Sequence, residues 1–298
     1  MSGNIFDPIK SYNDPILSVN IQAIERILSK GKLKLAVLAL TGLIVEYPDI
    51  SELYNILEEI KGEVSGKSDI KVSAIISVYN SEEFIRGCLE DLVSQTFYQK
   101  GLLEIIVVNS GSQENEENII KEFQAQYSNI IYIKSPVRET IYTSWNRGAK
   151  AAKGKYLVNT NSDDRLRKDA LEIMAHTLDE RHDVGVVYIE QIETIYANET
   201  FENHHVNGFL KRHECRKETI LLFNPCGPQV MWRKDIHDLI GYFNPYYEVA
   251  GDWEFWLRIM FNTDYKIHLI PDMLGLYYKN TKGLEHSGRK QKEQLLEI

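Results

Sequence analysis

Lys155-Tyr-Leu-Val-Asn-Thr-Asn-Ser-Asp-Asp-Arg165 is the stretch on which the reading of this chain turns. It opens as a strand, because Tyr156, Leu157 and Val158 form a short apolar run after Ala151-Ala152-Lys153-Gly154. It closes on two adjacent carboxylates, Asp163 and Asp164, and Arg167-Lys168-Asp169-Ala170-Leu171 reads as the start of a helix. A strand that delivers acids at its C-terminal end, ahead of a helix, places them at the sheet edge where open α/β proteins bind ligands. Two such carboxylates repel unless a proton or a cation intervenes. A hard divalent cation shared with phosphate oxygens serves that purpose. The same residue types also suit a turn and a helix cap, and the neighbouring sequence decides between the two.

Upstream, Lys71-Val-Ser-Ala-Ile-Ile-Ser-Val78 is a near-continuous β-branched run, as expected of a strand buried on both faces. A helix is expected over Glu82–Gln95, a strand over Leu103–Val108, a turn at Asn109-Ser-Gly-Ser112 and a helix near Glu114–Tyr127. A third strand, Ile130–Ile133, and a helical segment from about Ile141 to Ala152 complete the approach to Lys155. This alternation predicts an α/β fold with a mostly parallel, Rossmann-like sheet covered by helices on both faces. Neither GxGxxG nor GxxxxGK[ST] occurs, which argues against a dinucleotide fingerprint or a P-loop.

The first 68 residues read differently. Apolar residues at three- and four-residue spacings (Ile21, Ile24, Ile27, Leu28; Leu35, Leu38, Leu40, Leu43; Leu53, Ile56, Leu57, Ile60) predict three helices, and Gly62–Ser68 reads as a linker. This small α-helical N-terminal extension loosely resembles one tetratricopeptide repeat plus the first helix of another. Too few repeats are present to bury a continuous core alone, so the helices are expected to pack on a neighbouring domain or a second subunit. The expected division is 1–68, then 69–298, the latter with a nucleotide-binding half to 183 and an acceptor half from 184.

Of the 298 residues, 43% are apolar and 26% charged, which suits a globular protein with a real core. The net charge of −9 argues against a nucleic-acid partner, because phosphate backbones need clustered Lys and Arg. Cys88, Cys215 and Cys226 form no CxxC pattern and predict a reducing compartment. No basic start followed by an apolar run marks a signal peptide, and Leu35–Val45 is too short to span a bilayer. A cytoplasmic protein, soluble or peripheral at the inner membrane face, is expected.

Six stretches in order carry a more specific signal: Val72-Ser-Ala-Ile-Ile-Ser-Val-Tyr-Asn80, Gln95-Thr-Phe97, Glu104-Ile-Ile-Val-Val-Asn-Ser-Gly-Ser112, Asn146-Arg-Gly148, Ala152-Lys-Gly-Lys-Tyr156 and Ser162-Asp-Asp164. Together they resemble the signatures of family 2 glycosyltransferases of the GT-A fold, with the likeness running from about Lys71 to Lys279. The resemblance implies a metal-dependent, inverting sugar transfer from a nucleotide-sugar to a hydroxyl acceptor. It places Ser77, Tyr79 and Asn80 against the nucleotide. It sets Asn109 and Ser110 where relatives carry base-binding acids, which leaves uracil recognition an open choice. Asp164 would hold Mn²⁺ or Mg²⁺, with Asp163 at the ribose or in the metal's shell. Asn161 stands where relatives often add a further acid. Arg138 is either a phosphate contact or a solvated surface residue, and Asn146 belongs to the donor side.

On the acceptor side, Asp252 matches the family's general base at the start of a helix that buries Phe255, Ile259 and Met260, and Glu254 is a reserve acid. The alternative for Asp252 is a plain helix cap. Trp232 and Trp253 offer rings for sugar stacking or for simple packing. His286 and Ser287 lie where relatives keep a loop that closes on the diphosphate, and the resemblance makes them candidates to reach phosphate or metal, His286 as a further metal ligand after Asp164 and Asp163. His204, His205, His213 and Cys215 have no tetrahedral zinc spacing and read as loop residues. The expected donor is a UDP-sugar, or a GDP- or dTDP-sugar. The expected acceptor is a glycan, a lipid-linked glycan or a protein, and a homo-oligomer through the N-terminal helices is compatible. Two other readings are a non-catalytic relative that binds a partner through those helices, and a nucleotidyltransferase. The latter lacks its Gly-rich loop after the first strand.

Overall fold

The computed structural model describes residues 5–30, 32–64 and 70–281. Contacts divide the chain into two compact units, Met1–Asp69 and Ile70–Ile298. The first holds a 3₁₀ turn, Asp7–Ser11, and helices α1 (Pro15–Leu28), α2 (Leu33–Glu46) and α3 (Ser51–Val64). Asp14 starts α1: its carboxylate accepts from the Ile16 and Leu17 amides, and Pro15 occupies the first helical position. Leu17, Ile21, Ile24, Leu40, Leu43, Leu53, Ile56 and Ile60 share one core.

Two expectations change here. Leu35 and Leu38 are exposed, and Ala36, Leu40 and Leu43 face inward; α2 is apolar on every side, so spacing alone could not select its buried face. Helix α3 also continues to Val64, through Gly62, into the stretch read as a linker, whose remainder lies outside the described residues.

The second unit alternates as predicted. Its elements are β1 (Val72–Val78), α4 (Glu82–Ser94), α5 (Thr96–Gln99), β2 (Leu103–Ser110), α6 (Glu116–Gln126), β3 (Ile130–Ser135), α7 (Ile141–Ala151), β4 (Tyr156–Asn159), β5 (Arg165–Leu166) and α8 (Ala170–Glu180). The acceptor half adds β6 (Val184–Thr194), β7 (Gly208–Leu210), α9 (Lys217–Ile220), β8 (Met231–Arg233), α10 (Ile236–Ile240), α11 (Gly251–Asn262) and β9 (Lys266–Tyr278). Strand order is β3-β2-β1-β4-β8-β6-β9-β5, with β7 on β6. β1 runs parallel to β2 and β4, and β2 to β3; β8 is antiparallel to both of its neighbours, β4 and β6. β6 and β9 are parallel again.

Alternation along the strands explains why both faces are covered. Val72, Ala74, Ile76 and Val78 of β1 join one core cluster with α4, α6 and α8, whereas Ile75 joins the other with α7 and α11. The resulting sheet with helices on both sides is the GT-A arrangement. One buried acid explains a sequence signature: Glu104 accepts from the Ser73 hydroxyl and from the Lys153 amide, fastening the α7–β4 turn to β1. Gly154 is required there, since a Cβ would sit 2.7 Å from the Ser73 backbone nitrogen.

One local boundary differs. Arg165–Leu166 pair with β9 as a short strand, so the helix after the acid pair begins at Ala170 rather than near Arg167. Lys266–Tyr278 runs through Pro271 as one strand, β9, in which the register to β6 shifts between Ile189 and Glu190. Pro271 falls in that bulge and is exposed, which is where a strand tolerates a residue without an N–H.

Candidate active site

The acid loop leaves the C-terminal end of β4 and is held from behind by Arg165. This buried guanidinium donates to the carbonyls of Ser162 (2.9 Å) and Asp164 (2.6 Å) and to Asn198 Oδ1 (3.0 Å). Asp164 is 4% exposed. Its Oδ2 accepts from the Asn161 amide at 2.9 Å, and its Oδ1 accepts from the Tyr278 backbone amide at 3.1 Å. Asp163 Oδ2 accepts from the Asn280 side chain at 3.2 Å. Burial, with the Asp163 charge adding to it, pushes the Asp164 carboxyl up to about 8.

A buried acid with both oxygens oriented by donors, and with its charge disfavoured, suits a hard cation. The donor set is all oxygen: two carboxylates and the Asn161 Oδ1, whose amide nitrogen is the one turned to Asp164. No group of three or more His, Cys, Asp or Glu converges among the described residues. A cation bound here would therefore take its remaining ligands from phosphate and water. His286, the weaker metal candidate, and Ser287 lie outside the described residues. His204 and His205 bond instead to the Phe201 carbonyl and to Glu199.

Asp252 stands in the first turn of α11, two residues after the N-cap, Ala250. It therefore does not occupy the cap position. Its Oδ1 accepts from the Tyr142 hydroxyl at 3.2 Å and its Oδ2 from the Asn224 amide at 2.8 Å. The Tyr142 hydroxyl, also 2.6 Å from the Val249 carbonyl, is held protonated by burial and by the Asp252 charge. Asp252, Asn224, Tyr142 and Trp253 wall a cavity of about 450 Å³ that is also lined by Asn161. Glu193, Arg212 and Lys279 add charged side chains to its lining. The metal-side loop and the candidate base thus open into one space, with Asp164 one hydrogen bond behind Asn161.

Other expected site residues are placed differently. Asn146 is tied into the fold: its amide donates to the Phe243 carbonyl (2.8 Å) and its oxygen accepts the Phe243 amide (3.0 Å). Trp232 is fully buried, and its indole N–H donates to His237 Nε2 at 3.0 Å, which leaves no ring face for a sugar. Trp253 lines the cavity but is only 4% exposed, with its indole N–H donated to the Ile220 carbonyl. Glu254 forms an ion pair with Arg258 one turn along α11 and does not line the cavity.

The nucleotide-side residues lie outside this cavity, around the loops after β1 and β2. Asn109 is buried; it accepts the Ser112 amide at 2.8 Å and donates to the Tyr132 hydroxyl at 3.1 Å. The Ser110 hydroxyl turns inward to the Val78 carbonyl. Asn80, at φ +50°, accepts from the Ser112 hydroxyl, and the buried Glu116 bonds both Ser112 and the Ser81 amide. Asn109, Ser110 and Asn80 therefore shape the two loops. Ser77 is half-buried at the end of β1. The Arg138 guanidinium lies 4.0 Å from the centre of the Tyr79 ring and covers one of its faces. Tyr142, Asn224 and Arg165 had no sequence signal of their own, because each acts through a partner distant in sequence or through backbone carbonyls.

Next to the site, His237 offers a check on the packing. Its Nδ1 is 2.9 Å from the Gly241 carbonyl, an acceptor only, so Nδ1 carries the proton and Nε2 accepts from Trp232. Burial drives its pKa from 6.5 down to about 4. A base depressed on folding contributes stability above pH 6.5 that is lost as pH falls toward 4, here about 3 kcal/mol in full. Two-dimensional NMR of the imidazole nitrogens is expected to show one neutral tautomer down to pH 5. A titration midpoint near 6.5 would contradict the packing.

GlyA, a glycosyltransferase from Streptococcus pneumoniae, is 33% identical over 106 residues, 36% of this chain and 15% of that protein. The chain thus spans a small part of that relative's length. The fold is also that of S. aureus TarS 1-349 in complex with UDP-GlcNAc, with a TM-score of 0.59 at 21% identity over 73% of this chain and 61% of that one. The mannosyltransferase PcManGT from Pyrobaculum calidifontis, in complex with GDP-Man and Mn2+, gives a TM-score of 0.57 at 15% identity over 89% and 74%. The model of glycosyl transferase family 2 matches residues 73–240, more than half of the sequence, and the chain belongs to that family.

Proposed function

We propose that the second unit is an inverting glycosyltransferase that moves a sugar from a nucleotide-diphosphate sugar to a hydroxyl acceptor. In this reading residues 69–183 bind the donor and residues 184–298 the acceptor. The observation that carries it is the shared cavity: Asn161, bonded to Asp164, and Asp252 line the same space from opposite halves of the unit. The named complexes of TarS with UDP-GlcNAc and of PcManGT with GDP-Man and Mn2+ support a UDP- or GDP-sugar and a divalent cation. Among the described residues no helix is long and apolar enough to cross a membrane, which is compatible with a cytoplasmic or peripheral enzyme.

Asp252 acts as the base. The Tyr142 hydroxyl and the Asn224 amide fix its two oxygens, so it works through position. It takes the acceptor's hydroxyl proton while that oxygen attacks the anomeric carbon and the bond to the diphosphate breaks. One displacement leaves the anomeric configuration inverted. Asp164 and Asp163 would hold Mn²⁺ or Mg²⁺, which supplies charge neutralisation for the departing diphosphate when bound. Lys279, at the end of β9 beside Tyr278, adds a cationic side chain to the same cavity. A screen of UDP-, GDP- and dTDP-sugars with Mn²⁺ and with chelator is expected to show release of one nucleoside diphosphate, dependent on the metal. A chain that binds none of these donors is not a transferase of this kind.

A further inference from the structure

Between the buried Ile220 and the cavity residue Asn224, three consecutive apolar residues, Leu221, Leu222 and Phe223, are 53%, 77% and 43% exposed. Both ends of the run are fastened to the helix of the candidate base. The Trp253 indole N–H donates to the Ile220 carbonyl at 2.7 Å, and the Asn224 amide donates to Asp252 at 2.8 Å. Phe261, on the last turn of α11, is also exposed, and the Lys217 ammonium lies 5.8 Å from its ring centre. The preceding stretch brings the exposed Lys211, Arg216 and Lys217, with Arg212 in the cavity wall. Glu214 and Glu218 are the acids of that stretch, and Glu214 is turned to His268, 3.1 Å from Nδ1.

A chain of net charge −9 thus carries, beside its cavity, an outward Leu-Leu-Phe run rimmed by basic side chains. Contiguous exposed apolar groups mark a contact surface. Apolar insertion combined with Lys and Arg at the rim is the chemistry that binds a bilayer bearing anionic headgroups. We propose that Leu221, Leu222 and Phe223, with Phe261 and the basic rim, dock this protein on an anionic phospholipid surface. Because Ile220 and Asn224 are bonded to Trp253 and Asp252, docking sets the base's cavity beside the membrane. The acceptor class that follows is a hydroxyl on a lipid-linked molecule; this clause rests on the proposed transfer reaction, whereas membrane binding does not.

The test is flotation of the full chain with phosphatidylcholine vesicles, with and without phosphatidylglycerol, at low and high salt. Wild type is expected to float with the anionic vesicles, and more weakly in high salt. The variant Leu222→Glu with Phe223→Ser should lose about tenfold or more in binding, and Arg216→Glu with Lys217→Glu a similar factor, chiefly at low salt. Thermal melts and donor binding of both variants are expected to match wild type, since these side chains touch neither the base nor the acid loop. Absence of vesicle binding, or binding that both variants retain, overturns the proposal. Concentration-dependent self-association that the Leu222 and Phe223 variant abolishes would assign the patch to a second copy and overturn it equally. Failure of sugar transfer with vesicle binding intact would overturn the reaction and leave the docking surface standing.

Discussion

Asp252→Asn is expected to lower transfer by roughly 10²–10⁴-fold, the range that general-base catalysis supplies, while donor binding stays within about twofold of wild type. The substitution is nearly isosteric. The Asn224 amide can still donate to the carboxamide oxygen, and the new amide N–H can donate to the Tyr142 hydroxyl, whose own proton goes to the Val249 carbonyl, so the cavity wall should keep its form. What disappears is an acceptor for the hydroxyl proton. The split between lost turnover and kept affinity distinguishes a base from a structural acid, because loss of a merely structural residue would lower the melting temperature and donor affinity together. Isothermal titration of the donor alongside a product assay reads both quantities. Full turnover by the variant would remove Asp252 from the reaction.

The second large effect is expected at the acid loop. Asp164→Asn should weaken Mn²⁺-dependent donor binding on the order of a hundredfold, because one of the two carboxylates that the described residues bring to the site is removed. The same change is expected to cost little stability. Burial already disfavours the Asp164 charge, and a neutral amide keeps an oxygen that can accept the Tyr278 amide. Titrations with Mn²⁺ and with chelator, together with the electron paramagnetic resonance of bound Mn²⁺, separate metal loss from unfolding. Equal donor affinity with and without metal in wild type would contradict this assignment. Asn161 sharpens the point: where relatives often carry an acid, this chain has an amide that donates to Asp164. It orients the carboxylate without adding to the repulsion from Asp163.

Much of the architecture was legible because its signals are local. The β-branched runs at Val72 and Leu103, and the helices between them, follow from composition and spacing over a dozen residues. The acid loop was legible for the same reason, since Asp163 and Asp164 end a recognisable strand. Individual side-chain roles were less so. Asn146, Asn109, Ser110, Glu254 and Trp232 are residue types that bind ligands. In the folded chain their polar groups meet Phe243, Ser112, Val78, Arg258 and His237. Nothing in a linear pattern tells an amide that reaches a donor from one that satisfies a backbone pair across the fold. Tyr142 and Asn224 show the converse, since each acquires its place only when α7 and the stretch before β8 meet the first turn of α11.

A single displacement driven from Asp252 is tested most directly by the sugar released when water serves as the acceptor. The anomer formed in the first moments of donor hydrolysis, before mutarotation, can be followed by proton NMR with Mn²⁺ present. Inversion relative to the donor's anomeric bond is the predicted result, absent in Asp252→Asn. Release of the retained anomer by the wild-type chain would contradict it.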